Sequence, residues 1–358
     1  MHKKLFIPGP TEVEQDVLLQ QAKPLIGHRA KEFTELYASV TGKLGRFFEI
    51  TKQHIMVATG SGTLFMDMAA RNLVKKKALC ATCGSFSERM AKTVDECGKE
   101  IDKLSVDWGK ATTEDMIIER LAGGKYDALT VVHNETSTGI RNPIYKIGEK
   151  VKKEYPDISY IIDSVSGMAG DMVEPEKIKS DLIFASSQKA FALPPGLAIA
   201  FVSEEAYEKA KTVEARGNYT DLVGIIDYFK KSGQTPSTPN ISLLYALDYR
   251  LDKMLAEGYR KRYERHVEMA KYTQNWVKKK GFEMFPEPGY ESVTVSTVKN
   301  TLEKNVKELN SQLAPRGYTI ANGYGKLADK TFRIGHMGEW TLSGLKEVLW
   351  HMEDIWGL

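Results

Sequence analysis

Lys189 is the residue whose type and position indicate chemistry most directly. It follows the apolar run at residues 181–185 and precedes a Pro-Pro-Gly turn at residues 194–196. Another apolar run, at residues 158–162, ends on Asp163. If the two runs are neighbouring strands, an amine and a carboxylate meet at their ends. An amine that can bond covalently to an aldehyde and a carboxylate that can hold the proton of a ring nitrogen are what pyridoxal 5'-phosphate needs.

Each of these residues also has a simpler interpretation. A strand-end lysine is most often a solvated surface group. Asp163, followed by Ser164, could instead cap the first turn of a helix. Because the two residues occur together, the sequence favours the cofactor interpretation for both.

A glycine-containing loop supplies a candidate phosphate site. Gly60-Ser61-Gly62-Thr63 lies between an apolar run and a helix-like stretch, and backbone N–H groups at the start of a helix bind phosphate. A dinucleotide-binding loop is the alternative, but the third glycine of that fingerprint is missing here.

Several motifs together resemble one family. Ser-Gln-Lys-Ala at 187–190 with Leu-Pro-Pro-Gly at 193–196, Asp-Ser-Val-Ser at 163–166 and His-Asn-Glu-Thr-Ser-Thr-Gly at 133–139 are similar to the motifs of class V aminotransferases of the alanine–glyoxylate and serine–pyruvate group. The resemblance extends from Pro8-Gly9-Pro10-Thr11 to Arg333-Ile334-Gly335. It implies an α/β fold of the fold-type-I, aspartate aminotransferase-like class of pyridoxal-phosphate-dependent transferases, with a large, mostly parallel sheet domain and a smaller α+β C-terminal domain.

The resemblance assigns cofactor roles by position. It implies that Lys189 bonds to the cofactor and acts in catalysis, that Asp163 faces the pyridine nitrogen, and that Phe86 lies over the ring. It also implies a phosphate site made of the glycine-containing loop and a neighbouring amide side chain, one residue near the ring hydroxyl and one under the ring. In addition, it implies a homodimer in which a loop of one subunit reaches the cofactor phosphate of the other. These further residues are Ser61, Gly62, Thr63 and Gln188 for the phosphate, Thr136 for the hydroxyl, Val165 under the ring, and Thr235, Ser237 or Thr238 for the neighbour.

The resemblance also implies the substrate-binding residues. Arg333 is expected to bind the α-carboxylate, because a planar guanidinium captures a carboxylate through two hydrogen bonds. Pro8 and Gly9 are expected beside the substrate. His28 and Arg29 form a possible second cationic group, which would suit a substrate with an acidic side chain.

The order of apolar and helix-like segments predicts the architecture. Strands alternating with helices between residues 54 and 202 predict a mostly parallel sheet with helices on both faces. The connection at 188–196 is too short for a helical crossover, so the last strand is predicted to be antiparallel. A large domain is predicted over residues 1–240, and a long helical segment at 241–280 leads into a small domain within 241–358. That small domain is predicted to contain strands at 292–296 and 331–334 and a terminal helix from about residue 342.

Composition narrows the classes of protein. The 50 basic and 47 acidic residues are spread along the chain, so no nucleic-acid-binding face is expected. No apolar stretch approaches the about 20 residues that span a bilayer, and no signal peptide is apparent, so we expect no membrane partner and a cytoplasmic location. The three cysteines, Cys80, Cys83 and Cys97, lack the second pair or histidine of a zinc site, and no metal is expected.

The sequence therefore predicts an aminotransferase that acts on a small L-amino acid of the serine or alanine type and a 2-oxo acid of the glyoxylate or pyruvate type. The alternatives are a phosphoserine or aspartate aminotransferase using 2-oxoglutarate and glutamate, a pyridoxal-phosphate-dependent β-eliminating lyase, and a non-catalytic binding protein. Cysteine desulfurase activity is excluded because no cysteine follows Cys97.

Overall fold

The computed structural model describes residues 2–358. Its strands are β1 (Lys4–Phe6), β2 (His54–Thr59), β3 (Lys77–Thr82), β4 (Glu100–Ser105), β5 (Ala128–Val132), β6 (Asn134–Glu135), β7 (Ile140–Arg141), β8 (Ser159–Asp163), β9 (Leu182–Ser186), β10 (Leu197–Val202), β11 (Glu283–Met284), β12 (Val295–Lys299), β13 (Tyr318–Asn322) and β14 (Thr331–Gly335).

The helices cover both faces of the larger sheet and the outside of the smaller one. They are α1 (Gln15–Leu19), α2 (Lys31–Phe48), α3 (Gly62–Leu73), α4 (Ser85–Glu96), α5 (Glu114–Ala122), α6 (Ile144–Glu154), α7 (Pro175–Ile178), α8 (Glu204–Ala210), α9 (Leu222–Ser232), α10 (Ile241–Glu257), α11 (Tyr259–Lys279), α12 (Val306–Leu313) and α13 (Leu342–Trp356). Short 3₁₀ turns lie at Gln20–Ala22, Ala314–Arg316 and Gly325–Leu327.

A seven-stranded sheet forms the centre of the large domain. Its strand order is β2-β10-β9-β8-β5-β3-β4. The pairs β3–β4, β3–β5, β5–β8 and β8–β9 are parallel, whereas β10 is antiparallel to both its neighbours. The strands β5, β8, β9 and β10 are buried along their whole length, as expected for a sheet covered on both faces. The predicted sheet and its antiparallel last strand are confirmed.

A five-stranded sheet, in the order β1-β13-β14-β12-β11, forms the second layer. The sequence predicted only two of its strands, and the one predicted at 292–296 was misplaced, because pairing begins at Val295. The preceding residues are held elsewhere: the Ser292 hydroxyl donates to Asn134, and the Thr294 hydroxyl donates to the carbonyl of Ser166 at 2.6 Å. These side-chain bonds draw the segment toward the large domain.

The predicted long helical segment at 241–280 is two helices. It breaks at Gly258, whose φ of 84° is a conformation that favours glycine. Before the break, α10 packs its apolar face into the core of the large domain. After it, α11 contributes Met269, Trp276 and Val277 to the core of the second sheet.

The first strand joins distant parts of the chain. Lys4–Phe6 pairs in parallel with Tyr318–Ile320 of β13, so residues near the N-terminus belong to the smaller sheet. The division into domains at residues 1–240 and 241–358 stays a prediction. β1 falls within residues 1–240, although it pairs with a strand of the smaller sheet. From β1 the chain runs directly to Pro8 and Gly9 beside Lys189.

Candidate active site

Lys189 lies in a cleft of about 370 Å³ at the ends of the parallel strands. Its walls come from the large sheet, from the loops that follow its strands and from the turn after β13. The lining residues are Gly9, Ser61, Gly62, Thr63, Met66, Phe86, Arg89, Val132, Asn134, Thr136, Asp163, Val165, Ser166, Gln188, Lys189 and Tyr324. The fold thus brings together ten of the residues singled out in the sequence.

The Lys189 amine is buried and is held by a backbone carbonyl. Its Nζ donates a hydrogen bond to the Pro8 carbonyl oxygen. Burial, followed by the positive charge of Arg333, lowers the pKa of Lys189 to about 8, so the neutral, nucleophilic form of the amine is more accessible than in an exposed lysine. Gly9 allows this approach, because a Cβ there would lie 2.6 Å from the lysine Nζ.

Asp163 is a buried carboxylate at the end of β8, with 3% of its surface exposed. Its Oδ1 accepts a hydrogen bond from the Val165 N–H at 2.9 Å. Burial raises the pKa of Asp163 to about 7, so a positive group beside it would stabilise the charged form. The protonated ring nitrogen of pyridoxal phosphate is such a group. Asp163 does not cap a helix, because turns rather than an α-helix follow it.

The phosphate cradle is the N-terminus of α3. The helix begins at Gly62, and its N-cap Ser61 makes no side-chain capping hydrogen bond. N–H groups at the start of a helix can bind an anion. Here the Gly62 N–H donates to Ser186 Oγ at 3.2 Å, and that hydroxyl donates to Gln188 Oε1 at 2.6 Å, so the Gly62 N–H would exchange this partner for the phosphate. A Cβ at Gly62 would lie 2.6 Å from Val165 Cγ2, so the cradle and the residue predicted under the ring are in direct contact.

Phe86 and Thr136 lie on the other walls of the cleft. The Phe86 ring is 5.5 Å from that of Tyr324, with an angle of 31° between them. The Thr136 hydroxyl is 2.6 Å from that of Ser166. Both residues line the same cleft as Asp163, and their contacts with the cofactor stay predictions.

Glu135 fixes this wall, and the sequence analysis gave it no role. Its buried carboxylate accepts from the Phe86 N–H at 3.2 Å and the Ser87 N–H at 2.8 Å, and from the Ser137 hydroxyl at 2.6 Å. It thereby holds the first turn of α4 in position. The sequence signal that could have revealed Glu135 is the single acidic residue within the motif at residues 133–139. Arg89 and Tyr324 were also missed, because nothing local in the sequence joins α4 to the turn after β13.

Arg333 stands behind Tyr324 with 8% of its surface exposed. Its Nε donates to the Asn322 carbonyl at 3.0 Å and its Nη1 to the Thr136 carbonyl at 3.3 Å. Its guanidinium carbon lies 5.4 Å from the centre of the Tyr324 ring. Burial lowers the pKa of Arg333 to about 10, and a carboxylate partner would offset that desolvation.

The predicted second anion site does not reach the Lys189 cleft within one chain. Arg29 donates to the carbonyls of Thr235 and Pro236 at 2.5 and 2.7 Å, and His28 lies 3.4 Å from the Thr238 hydroxyl. The loop at 235–239 lines a separate cleft of about 180 Å³. These predicted residues therefore form one group outside the cleft of their own chain, and their roles stay predictions.

The fold and the site define a class of enzyme. A mostly parallel sheet with a lysine and a buried aspartate at adjacent strand ends, and a free helix N-terminus beside them, is the arrangement of a fold-type-I pyridoxal-phosphate-dependent enzyme. Within residues 2–358 no helix is both long and apolar enough to cross a membrane.

Comparisons with known proteins agree with this class. The family model described as aminotransferase class-V matches residues 16–317. An uncharacterized aminotransferase of Methanocaldococcus jannaschii is 42% identical over 97% of this chain and 90% of its own length. The L-aspartate–glyoxylate aminotransferase of Paracoccus denitrificans is 27% identical over 98% of this chain and 91% of its own. The structure of an alanine–glyoxylate aminotransferase from Nostoc sp. matches with a TM-score of 0.93 at 24% identity, covering 99% and 96% of the two chains.

The chain belongs to the class V aminotransferase family. It is a pyridoxal-phosphate-dependent aminotransferase, and the resemblance found in the sequence is confirmed.

Proposed function

We propose that the enzyme moves an amino group between a small L-amino acid, of the serine or alanine type, and a 2-oxo acid of the glyoxylate or pyruvate type. The observation that carries the proposal is the common cleft of Lys189 and Asp163, with Arg333 behind its Tyr324 wall. The cleft thereby offers a nucleophilic amine, a buried carboxylate and a carboxylate-binding cation.

Each residue has a distinct role in this proposal. Bound pyridoxal phosphate withdraws the electrons that are released when the substrate Cα–H bond breaks. Lys189 would hold the cofactor, and its free amine would take the Cα proton of the substrate and return it as general base and acid. Asp163 keeps the ring nitrogen protonated. Arg333 orients the α-carboxylate, and the N–H groups at the start of α3 hold the phosphate.

The relatives support a glyoxylate-type acceptor. The Paracoccus protein is an L-aspartate–glyoxylate aminotransferase and the Nostoc structure is an alanine–glyoxylate aminotransferase. Because the Paracoccus protein is named for aspartate, aspartate is an alternative donor for this enzyme. Phosphoserine with 2-oxoglutarate is a related alternative. A β-eliminating lyase is the alternative reaction on the same scaffold.

A panel of amino donors tests the proposal. Purified holoenzyme is given alanine, serine, aspartate, glutamate or phosphoserine without an acceptor, and the released 2-oxo acid is measured. A transaminase releases about one equivalent per active site and then stops until glyoxylate or pyruvate is added. Continuous release of pyruvate and ammonia from serine or phosphoserine would instead identify the lyase.

We expect Arg333→Ala to lower kcat/KM for every amino-acid donor, because all of them carry an α-carboxylate. Loss of a charge-assisted hydrogen bond costs about 1.5–3 kcal/mol, or roughly ten- to a hundredfold in kcat/KM. The measurement is kcat/KM across the donor panel. Arg316→Ala is the control, since Arg316 pairs with Asp354 in the same domain, outside the cleft. An unchanged kcat/KM for alanine would remove Arg333 from the substrate site.

We also propose that the active unit is a homodimer in the cytoplasm, in which Thr235 or Thr238 contacts the partner's phosphate site. Its support is the group of His28, Arg29 and the 235–239 loop, which lies outside the cleft of its own chain. Light scattering across a dilution series should show a dimer, and activity per chain should fall as it dissociates. A fully active monomer would contradict this proposal.

A further inference from the structure

Arg89 is a cation in the cleft that the reaction described above does not use. It lies on α4, one turn after Phe86, and lines the same cleft as Lys189. Its guanidinium carbon is 5.0 Å from the centre of the Phe86 ring, and its Nη2 lies 3.4 Å from the Tyr324 hydroxyl. Its side chain is exposed, and it forms no salt bridge with any carboxylate in residues 2–358. The head group is therefore free to meet an anion that enters the cleft.

Tyr324 separates Arg89 from the other guanidinium group of the site. Arg333 lies against the face of the Tyr324 ring, and Arg89 approaches its hydroxyl. A ligand whose α-carboxylate reaches Arg333 thus has a second cation nearby, across one aromatic side chain. Two separated guanidinium groups match a molecule with two anionic groups.

Within residues 2–358 no carboxylate forms a salt bridge with Arg89 or Arg333. The Glu135 carboxylate accepts hydrogen bonds from backbone and hydroxyl donors of α4 and Ser137, and Asp163 accepts one from the Val165 N–H. The charges of the site also act on Lys189: after burial, Arg333 lowers the pKa of the amine, Asp163 raises it, and Arg89 lowers it.

The cation predicted for this role from the sequence is placed differently. Both terminal nitrogens of Arg29 donate to backbone carbonyls of the 235–236 segment, and its guanidinium lies 5.1 Å from the Tyr228 ring. Arg29 thus donates to backbone carbonyls outside the cleft, whereas Arg89 lies inside the cleft and forms no salt bridge within residues 2–358.

We propose that Arg89 binds a side-chain anion of the substrate, so that at least one member of the substrate pair carries a second anionic group. Arg333 binds the α-carboxylate, and Arg89, assisted by the Tyr324 hydroxyl, binds the distal carboxylate or phosphate. This proposal rests on the aminotransferase reaction of the proposed function, and it favours the alternative acidic donors, aspartate and phosphoserine, over alanine and serine.

The test compares Arg89→Gln with the parent holoenzyme. We expect kcat/KM for the preferred acidic donor, among aspartate, glutamate and phosphoserine, to fall about ten- to a hundredfold, since a charge-assisted hydrogen bond is lost. For alanine and serine we expect a change of less than about threefold. Comparing aspartate and glutamate with phosphoserine distinguishes a distal carboxylate from a phosphate. Arg89→Lys, which keeps the charge but not the planar fork, should retain part of the preference.

Two further measurements separate recognition from a structural effect. Binding of succinate, a dicarboxylate without an amine, is measured by calorimetry on the holoenzyme and should weaken in Arg89→Gln. Lys92→Gln is the matched control, since Lys92 is an exposed cation on the same helix that pairs with Glu96. It makes the same change of charge outside the cleft and should leave the donor preference unaltered.

Several outcomes would overturn the proposal. Equal losses for alanine and all acidic donors, or loss of the bound cofactor, would mean that Arg89 supports the fold or the cofactor. A selective loss in Arg29→Gln but not in Arg89→Gln would return the role to Arg29. If the parent enzyme released no 2-oxo acid from any donor, the proposed function itself would fail. That result differs from one in which the parent enzyme is active and Arg89→Gln lowers kcat/KM equally for all donors.

Discussion

Lys189→Ala is expected to abolish transamination while leaving the chain folded. The change removes both the covalent attachment point of the cofactor and the group that moves the Cα proton, and general acid–base catalysis alone contributes about 10²–10⁴-fold. The folded state should persist, because the side chain forms a single hydrogen bond, to the Pro8 carbonyl. The measurements are turnover with the preferred donor and far-ultraviolet circular dichroism.

A second lysine provides the control for this experiment. Lys209 is also partly buried and has a lowered pKa owing to burial, but it donates to the carbonyls of Asp127 and Asp157 away from the cleft. Lys209→Ala should keep the chemistry even if it lowers stability. Reduction of the holoenzyme with borohydride should attach the cofactor to the peptide that contains Lys189. Recovery of the label on another lysine would end this assignment.

Asp163→Asn is expected to retain the cofactor but slow removal of the Cα proton by on the order of 10²-fold or more, since the ring nitrogen loses its charged partner. The amide keeps an oxygen that can accept the Val165 N–H. The turn after β8 should therefore survive, and the effect reports the charge alone. The measurement is the rate of a single half-reaction in stopped flow.

The Asp163 variant also discriminates between the two interpretations of this residue. If Asp163 served only to hold the turn through the Val165 N–H, asparagine would replace it with little loss. Near-normal half-reaction rates would therefore show that its carboxylate is structural. A slow half-reaction with a normal cofactor content would support the cofactor role.

The central sheet could be predicted from the sequence because its information is local. Each fully buried strand is a short apolar run. Asp163 is the last residue of one of them, and Lys189 lies three residues after the end of another. The short connection before Leu197 was sufficient to predict the antiparallel strand. An apolar run that ends on a polar residue therefore indicates both a strand buried on both faces and the end of that strand where functional residues lie.

The smaller sheet and the rim of the cleft could not be predicted in the same way. Lys4–Phe6 is three residues long and is stabilised by pairing with Tyr318–Ile320, more than 300 positions away. The break at Gly258 lies within an otherwise continuous helical pattern. Arg89 and Tyr324 meet only because the large sheet and the turn after β13 pack together. Such contacts are set by tertiary structure, which local patterns do not encode.

The path of the N-terminal segment has a mechanical consequence. Between β1 and Pro10 the chain passes close to β14 and to Lys189. A Cβ at Gly335 would lie 2.1 Å from the Ile7 carbonyl oxygen, and the next carbonyl, that of Pro8, accepts from Lys189. This short segment therefore contacts both the strand that carries Arg333 and the Lys189 amine. A substitution that moves residues 7–9 would disturb both groups at once, although neither is near these residues in the sequence.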